Sequence, residues 1–196
     1  MKKIAFFDFD GTITERDSVL EFIKYRKGLA RYFAGLLWHL PIIVGMQIRL
    51  IRHQWVKEKL LQWFFGKESQ AHFKEQAERF AMEHLPAMIR PKSMGEIWEL
   101  KEHGFEIVVV TAAPIDWVKP FCDLHQIQVI GSGMAVKEGF ITGKLDAKNC
   151  RGMEKVRRIQ QQYELQNYQQ VYCYGDTTAD IPMLLLATHS FYKPFR

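Results

Sequence analysis

The 196-residue chain holds only three cysteines, Cys122, Cys150 and Cys173, far apart and without a C-x-x-C pair. That excludes a disulfide framework and a thiolate zinc site, and predicts buried, reduced thiols in a cytoplasmic protein. Repeats and biased tracts are missing too. With 47% hydrophobic and 25% charged residues the composition is globular, which sets disorder aside. The length suits one core domain carrying a modest insertion, not two large independent domains. A secretory leader is not expected, because the four apolar residues after Met-Lys-Lys run directly into Asp8 and Asp10. Acid is missing from one place in particular. Between Glu21 and Glu58 there is none, while Lys24, Arg26, Lys27, Arg31, Arg49, Arg52 and Lys57 contribute +7; the chain nets +5, so the remainder nets −2.

The apolar pattern changes character along the chain. Residues 4–7 form a short apolar run ending in Asp-Phe-Asp-Gly-Thr, which predicts a buried strand opening into a loop with carboxylates at its carboxyl end. From about residue 18 to residue 85 the signals are helical, with Phe73, Ala77, Phe80, Ala81 and Leu85 on one face and Pro41 breaking the first half. After Pro91 helix and strand alternate: a helix over 92–103 stopped by Gly104, a strand over 106–111, a helix over 115–125 and a strand over 128–130. A small hairpin follows, 134–137 and 140–143 around Glu138-Gly139, then a helix with Val156, Ile159 and Tyr163 on one face, a strand over 170–174, and a helix running on through Leu186. The expected fold is α/β: a doubly wound parallel sheet formed by residues 1–14 and 90–196, with a helical cap, residues 15–89, inserted after the first strand.

Four small clusters fall at strand ends or helix starts: residues 8–12, Thr111-Ala112, Lys155, and Gly175-Asp176-Thr177-Thr178-Ala179-Asp180. Singly each has an ordinary explanation, since Asp-Gly is usually a turn and a helical lysine is usually solvated. In this order they resemble the four motifs of phosphatases of the haloacid dehalogenase superfamily, and the early cap and Gly-Asp-x-x-x-Asp spacing resemble the branch containing phosphoserine phosphatase. The resemblance implies a Rossmann-like core and a magnesium-dependent phosphatase acting on a small-molecule phosphate monoester. It casts Asp8 as nucleophile and Asp10 as acid and base. It assigns Mg2+ to Asp8, the Asp10 carbonyl and Asp176, with Asp180 behind a metal-bound water, and the phosphate oxygens to Thr111, the Ala112 amide and Lys155.

The leaving group is less defined. Asp17 stands where phosphoserine phosphatases carry a Glu for the substrate amine, Gly11 replaces their Ser, and Thr111-Ala112-Ala113 replaces their Ser-Gly-Gly. Asp17, Arg49 and Arg52 are the specificity candidates, for an amine and a carboxylate. A small phosphorylated metabolite is the leading expectation and phosphoserine an alternative. The 17 uncharged residues 32–48, flanked by cations, are at the lower limit for crossing a bilayer and contain His39 and Pro41. They are read first as the cap's own core. The alternative is a helical hairpin, within residues 24–57, lying on an anionic bilayer at the inner membrane face, similar in character to the cap segment of the phosphatidylglycerophosphatase C type; that resemblance makes a membrane-surface lipid phosphate the leading named alternative substrate class. A non-catalytic binding module using the basic cap is the reading from another class, and nucleic acid is not expected as a partner. The histidines show no metal-ligand spacing, and Trp38, Trp55, Trp63 and Trp98 are read as helix-packing residues. Oligomeric state is not encoded in any of these features.

Overall fold

The computed structural model describes residues 2–48 and 50–196. In chain order it runs β1 (Lys2–Phe7), α1 (Ser18–Trp38), α2 (Leu40–Gln47), α3 (His53–Phe65), α4 (Gln70–Glu83), α5 (Pro91–Glu102), β2 (Phe105–Pro114), α6 (Ile115–Leu124), β3 (Gln128–Ser132), β4 (Met134–Lys137), β5 (Phe140–Leu145), α7 (Met153–Gln162), β6 (Tyr168–Gly175), α8 (Ile181–Leu184) and β7 (His189–Tyr192). Five strands form one sheet in the order β3-β2-β1-β6-β7, with every pairing parallel. The side-chain period of two divides β1 between two cores. Ala5 and Phe7 join Ile107 and Val109 on one face, while Ile4 and Phe6 join Val108 and Val110 on the other. Both faces are therefore covered, as a parallel sheet requires. The expected doubly wound α/β fold is present.

The strand order reverses at β1: the chain moves to β2 and β3 on one side, then returns to β6 and β7 on the other. That reversal opens a crevice beyond the carboxyl end of β1, where ligands of such sheets bind. Asp8 follows β1, Asp176 follows β6, and Thr111 lies near the end of β2.

The helical stretch between β1 and β2 begins where Asp17 caps α1 by accepting from Leu20 N at 3.0 Å. Pro41 sits in the first turn of α2, where no amide donor is needed, and α1 and α2 meet at a bend of 62°. No single helix among the described residues is long and apolar enough to cross a membrane. The apolar face of α4 is buried as its spacing predicts, through Phe73, Ala77, Phe80 and Ala81. Phe22 of α1 stacks on Trp117 of α6 at 4.5 Å between ring centroids, so one continuous apolar cluster links the helices to the sheet. The β4–β5 hairpin turns on Glu138 and Gly139, both at positive φ, and packs on α3 so tightly that a Cβ on Gly143 would lie 2.1 Å from the Gln62 Cα.

Three expectations need correction. The last helix is a single turn, α8, with Pro182 near its start, and the chain then adds the edge strand β7. Trp38, Trp55 and Trp98 are substantially exposed, whereas Trp63 packs α3 on Gly35 of α1 and against His39 as expected; the fully buried indole is Trp117, which donates to Ser18 Oγ at 3.0 Å. Residues 32–48 do not close into a cap core either. Beyond Gly28, which takes φ +74 inside α1, the helix projects from the body: Tyr32, Gly35, His39 and Gly45 face inward, whereas Leu37 is 72% and Trp38 75% exposed. All three cysteines are free and buried, as expected. Burial pushes the thiols up, Cys150 to about 11 and Cys173 to about 12, so neither is nucleophilic near neutrality.

Candidate active site

The loop after β1 is held by a backbone bond from Asp8 N to the Tyr174 carbonyl, 2.9 Å, which ties the first cluster to β6. Residues 9–13 then make one tight turn in which Gly11 takes φ +84. Only glycine fits there, because a Cβ would lie 2.4 Å from Asp176 Oδ2. The turn carries Asp10 inward, and its Oδ1 accepts from Ser18 N at 2.9 Å. Burial, reinforced by the Asp17 carboxylate, pushes Asp10 up to about 8.

Lys155, in the first turn of α7, is almost completely buried and donates to Asp8 Oδ1 at 2.5 Å and to Asp180 Oδ1 at 2.7 Å. Burial alone would lower its ammonium; the two carboxylates outweigh burial and hold it above its usual value. Burial pushes Asp8 up to about 6 against the pull of Lys155. Asp180 is the other half of this arrangement: burial would raise it, but Lys155 and the Thr177 donors bring it below its ordinary value. Its Oδ2 accepts from Thr177 N at 3.0 Å and Thr177 Oγ1 at 2.7 Å, which fixes the loop carrying Asp176.

One oxygen from each of Asp8, Asp176 and Asp180 can be chosen so that the three lie within 4.8 Å of one another, and all three residues are buried. Asp176 Oδ2 accepts from Arg196 Nη2 at 2.5 Å, but Asp176 Oδ1 is buried without a partner. A buried carboxylate oxygen left unbonded, beside two more carboxylates, is a donor set of the hard-oxygen type that a small divalent cation takes. The residues present therefore fit the Mg2+ expected from the motifs. Its own charge would pull these carboxylates down from the values above.

Thr111 is fully buried at a bulge: β2 and β3 pair at Val110↔Ile130 and resume at Pro114↔Ser132, leaving residues 111–113 out of step. Its Oγ1 accepts from Ala113 N at 2.9 Å, and the Ala112 carbonyl accepts from Lys57 Nζ at 2.7 Å. A cavity of about 950 Å³ joins these parts. Asp8, Asp10, Thr111, Ala112, Lys155 and Asp180 line it at the sheet, together with Asp17.

The specificity candidates fare differently. Asp17 lines the cavity, although its Oδ1 is engaged in capping α1. Arg52 is exposed just before α3 and is not part of the lining, and Arg49 lies outside the described residues. In their place the structure brings Lys57, Arg151 and His53 to the cavity wall. Lys57 belonged visibly to the acid-free stretch. Its reach to the end of β2 is a tertiary contact with no sequence signal, and Arg151 carried none.

The haloacid dehalogenase-like hydrolase family matches residues 5–185 of the chain. Protein CicA of Caulobacter vibrioides is 33% identical over 193 residues, which cover 97% of this chain and 85% of that protein. Among solved structures, a protein of unknown function from Bordetella pertussis Tohama I superposes with a TM-score of 0.83 at 18% identity, covering 97% of this chain and 89% of that one. A phosphoserine phosphatase solved as a phospho-aspartyl intermediate analogue gives 0.70 at 17% identity, covering 96% and 85%. The chain belongs to the haloacid dehalogenase-like hydrolases, and its fold is that of the phosphoserine-phosphatase-like branch. That membership makes the chain a hydrolase.

Proposed function

We propose that the protein is a magnesium-dependent phosphomonoester hydrolase working through an aspartyl-phosphate on Asp8. The observation that carries this reading is the buried trio of Asp8, Lys155 and Asp180 set against Asp176, whose second oxygen has no partner. Asp8, Asp176 and the Asp10 carbonyl would hold the cation, with Asp180 behind them; bound there, it would neutralise charge between carboxylates and phosphate.

An Asp8 oxygen attacks phosphorus, the phosphorus–ester oxygen bond breaks, and the Asp10 carboxyl gives its proton to the departing alkoxide. A carboxyl held protonated by burial near neutral pH is suited to that task. Asp10 then takes a proton from the water that hydrolyses the aspartyl-phosphate, releasing phosphate and restoring both groups. Lys155 holds Asp8 in line, and Thr111 with the Ala112 amide supports the equatorial oxygens where transition-state charge gathers. Residues 15–89 act as the cap that covers the site and selects the leaving group. A bare binding module would have no use for a buried lysine between two carboxylates.

Phosphoserine is the substrate named for several of the solved neighbours. Its amine and carboxylate find a weaker match here, since Asp17 caps α1 and Arg52 is off the cavity. Peripheral contact with a membrane through residues 24–57 belongs to the proposal in altered form, resting on the exposed apolar ridge of α1 and α2 more than on free cations.

The test of the catalytic reading is release of phosphate from p-nitrophenyl phosphate with and without Mg2+, in wild type and Asp8→Asn. Turnover that needs Mg2+ and falls below about a hundredth in the variant supports it, since covalent catalysis carries much of a very large acceleration. Undiminished turnover in the variant refutes Asp8 as nucleophile.

A further inference from the structure

The cavity changes chemistry along its length. At the sheet it is lined by carboxylates, Thr111 and Lys155, with Lys57 and Arg151 beside them. Away from the sheet its walls come from α1, α2 and α3, and there Phe33, Leu36, Leu37, Leu40, Ile43 and Met46 face it. Of the lining residues that α1 beyond Leu20 and α2 supply, Gln47 alone is polar. Three of these side chains, Phe33, Leu37 and Leu40, are also exposed at the surface, so the apolar wall runs without interruption from the interior to the outside. A monomeric protein rarely leaves such a continuous apolar path open unless something apolar occupies it.

Size points the same way. About 950 Å³ is at the upper end for pockets that enclose drug-sized ligands. A phosphorylated metabolite the size of an amino acid would occupy the polar end and leave the aliphatic walls wet. Apart from Gln47, the side chains that α1 beyond Leu20 and α2 turn to the far wall are aliphatic, aromatic or thioether, and offer little to a polar leaving group.

Resting on the phosphatase reading above, we propose that the physiological leaving group is an amphiphilic alcohol: its phosphate end seats at Asp8, and a long apolar chain lies between α1, α2 and α3. The polar part next to the ester lies against Lys57 and Arg151, for which no carboxylate is found within ion-pair distance among the described residues. The chain leaves through the mouth formed by Phe33, Leu37 and Leu40. The ester can reach this mouth either as a dissolved monomer or from a lipid surface, and the chemistry of recognition is the same.

The experiment measures kcat/KM of the Mg2+-loaded protein on n-alkyl phosphates from butyl to dodecyl, below their micellar concentrations, and on dodecyl phosphate carried in phosphatidylcholine vesicles. Each methylene that enters the apolar walls raises kcat/KM roughly twofold to fourfold, up to the length of the cavity. Acceleration with the monomers marks uptake from water; acceleration confined to the vesicle-borne ester marks uptake from the surface, and both support the long chain. A series flat from butyl to dodecyl in both formats, with butyl phosphate turned over, overturns the amphiphile and leaves the phosphatase intact. If no ester is hydrolysed, the catalytic reading fails, and calorimetric binding still decides the cavity. Dodecylphosphonate should then bind at least a hundredfold more tightly than methylphosphonate, and equal affinities overturn the proposal. Leu37→Asp, at an exposed site that tolerates a charge, should cut the dodecyl-to-butyl ratio at least tenfold, whereas Leu124→Asp, on an exposed helix end elsewhere, should leave that ratio as in wild type. An unchanged ratio in Leu37→Asp would place the chain outside this cavity.

Discussion

Replacing Glu154 by Gln tests what places the buried lysine. Glu154 is 3% exposed on α7, one residue before Lys155. Its Oε1 accepts from Arg157 Nη2 at 2.5 Å and from Arg158 Nε at 3.0 Å. Arg158 in turn donates to the Gly131 carbonyl, to Ser132 Oγ at 2.8 Å and to the Lys148 carbonyl at 2.5 Å. The carboxylate therefore anchors α7 to the end of β3. Hydrogen bonds from Arg157, and after them from Arg158, outweigh burial and pull Glu154 down from 4.5 to about 2. Because the native pKa is depressed, the carboxylate's stabilisation is complete above 4.5 and is lost as pH falls through 2. Arg157 is open to water and its share is screened, so the charge contributes about 1–2 kcal/mol. Glu154→Gln should lower the melting temperature by about 3–8 °C at pH 7. By pH 3 more than half of that difference should have gone, because the wild-type carboxylate is by then losing the same contribution. Calorimetric melting of both proteins at pH 7, 5 and 3 makes the comparison. A deficit as large at pH 3 as at pH 7 would show that shape, and not charge, is what Glu154 supplies.

Three further outcomes are expected. Asp10→Asn should slow both formation and hydrolysis of the aspartyl-phosphate in rapid-quench experiments, and wild-type rates for either step would refute its double role. Gly11→Ala should weaken Mg2+ binding at least tenfold by calorimetry, since its Cβ meets Asp176 Oδ2 and positive φ adds strain; unaltered affinity would mean that Asp176 is not a ligand. Trp38→Asp should leave the melting temperature within about 2 °C, as for other surface positions, yet reduce cosedimentation with lipid vesicles; a large loss of stability would show that Trp38 is buried after all.

The sheet was legible because parallel strands buried on both faces are apolar throughout, and residues 4–7 and 107–110 are such runs. The motifs were legible because chemistry fixes residue type: Asp8, Lys155 and Asp180 meet across 147 and 25 residues of sequence, and each had been singled out at its own strand end or helix start. What escaped depended on tertiary placement. His189-Ser190-Phe191-Tyr192 is a short edge strand with little apolar content, so β7 had no pattern to announce it. The 17 uncharged residues 32–48 looked like core because composition records hydrophobicity and not whether a neighbour is available to cover it. Arg52 is a ligand candidate by sequence and Lys57 only one more cation of the acid-free stretch, yet it is Lys57 that the fold brings to the cavity.

The acid-free stretch shows how a net charge misleads when it is read as a surface. Arg26 and Lys27 both close on Glu68, Lys24 pairs with Glu21 at 2.8 Å, and Lys57 turns inward to the Ala112 carbonyl. Arg31 lies over the Trp63 ring at 5.8 Å. Of the described cations in the stretch, Arg31 and Arg52 are exposed with no carboxylate partner, and two such charges give roughly 2 kcal/mol toward an anionic surface. Leu37, Trp38, Ile48 and Leu50, each more than 60% exposed, offer more than that if even two of them enter an apolar phase. Attraction through this hairpin should therefore depend more on these apolar side chains than on lipid charge, which reverses the order of importance that the charge count suggested. Of these four, Leu37 also lines the cavity, beside the exposed Phe33 and Leu40, so contact with the surface and access of a long-chain ester to Asp8 would meet at the same stretch of α1 and α2.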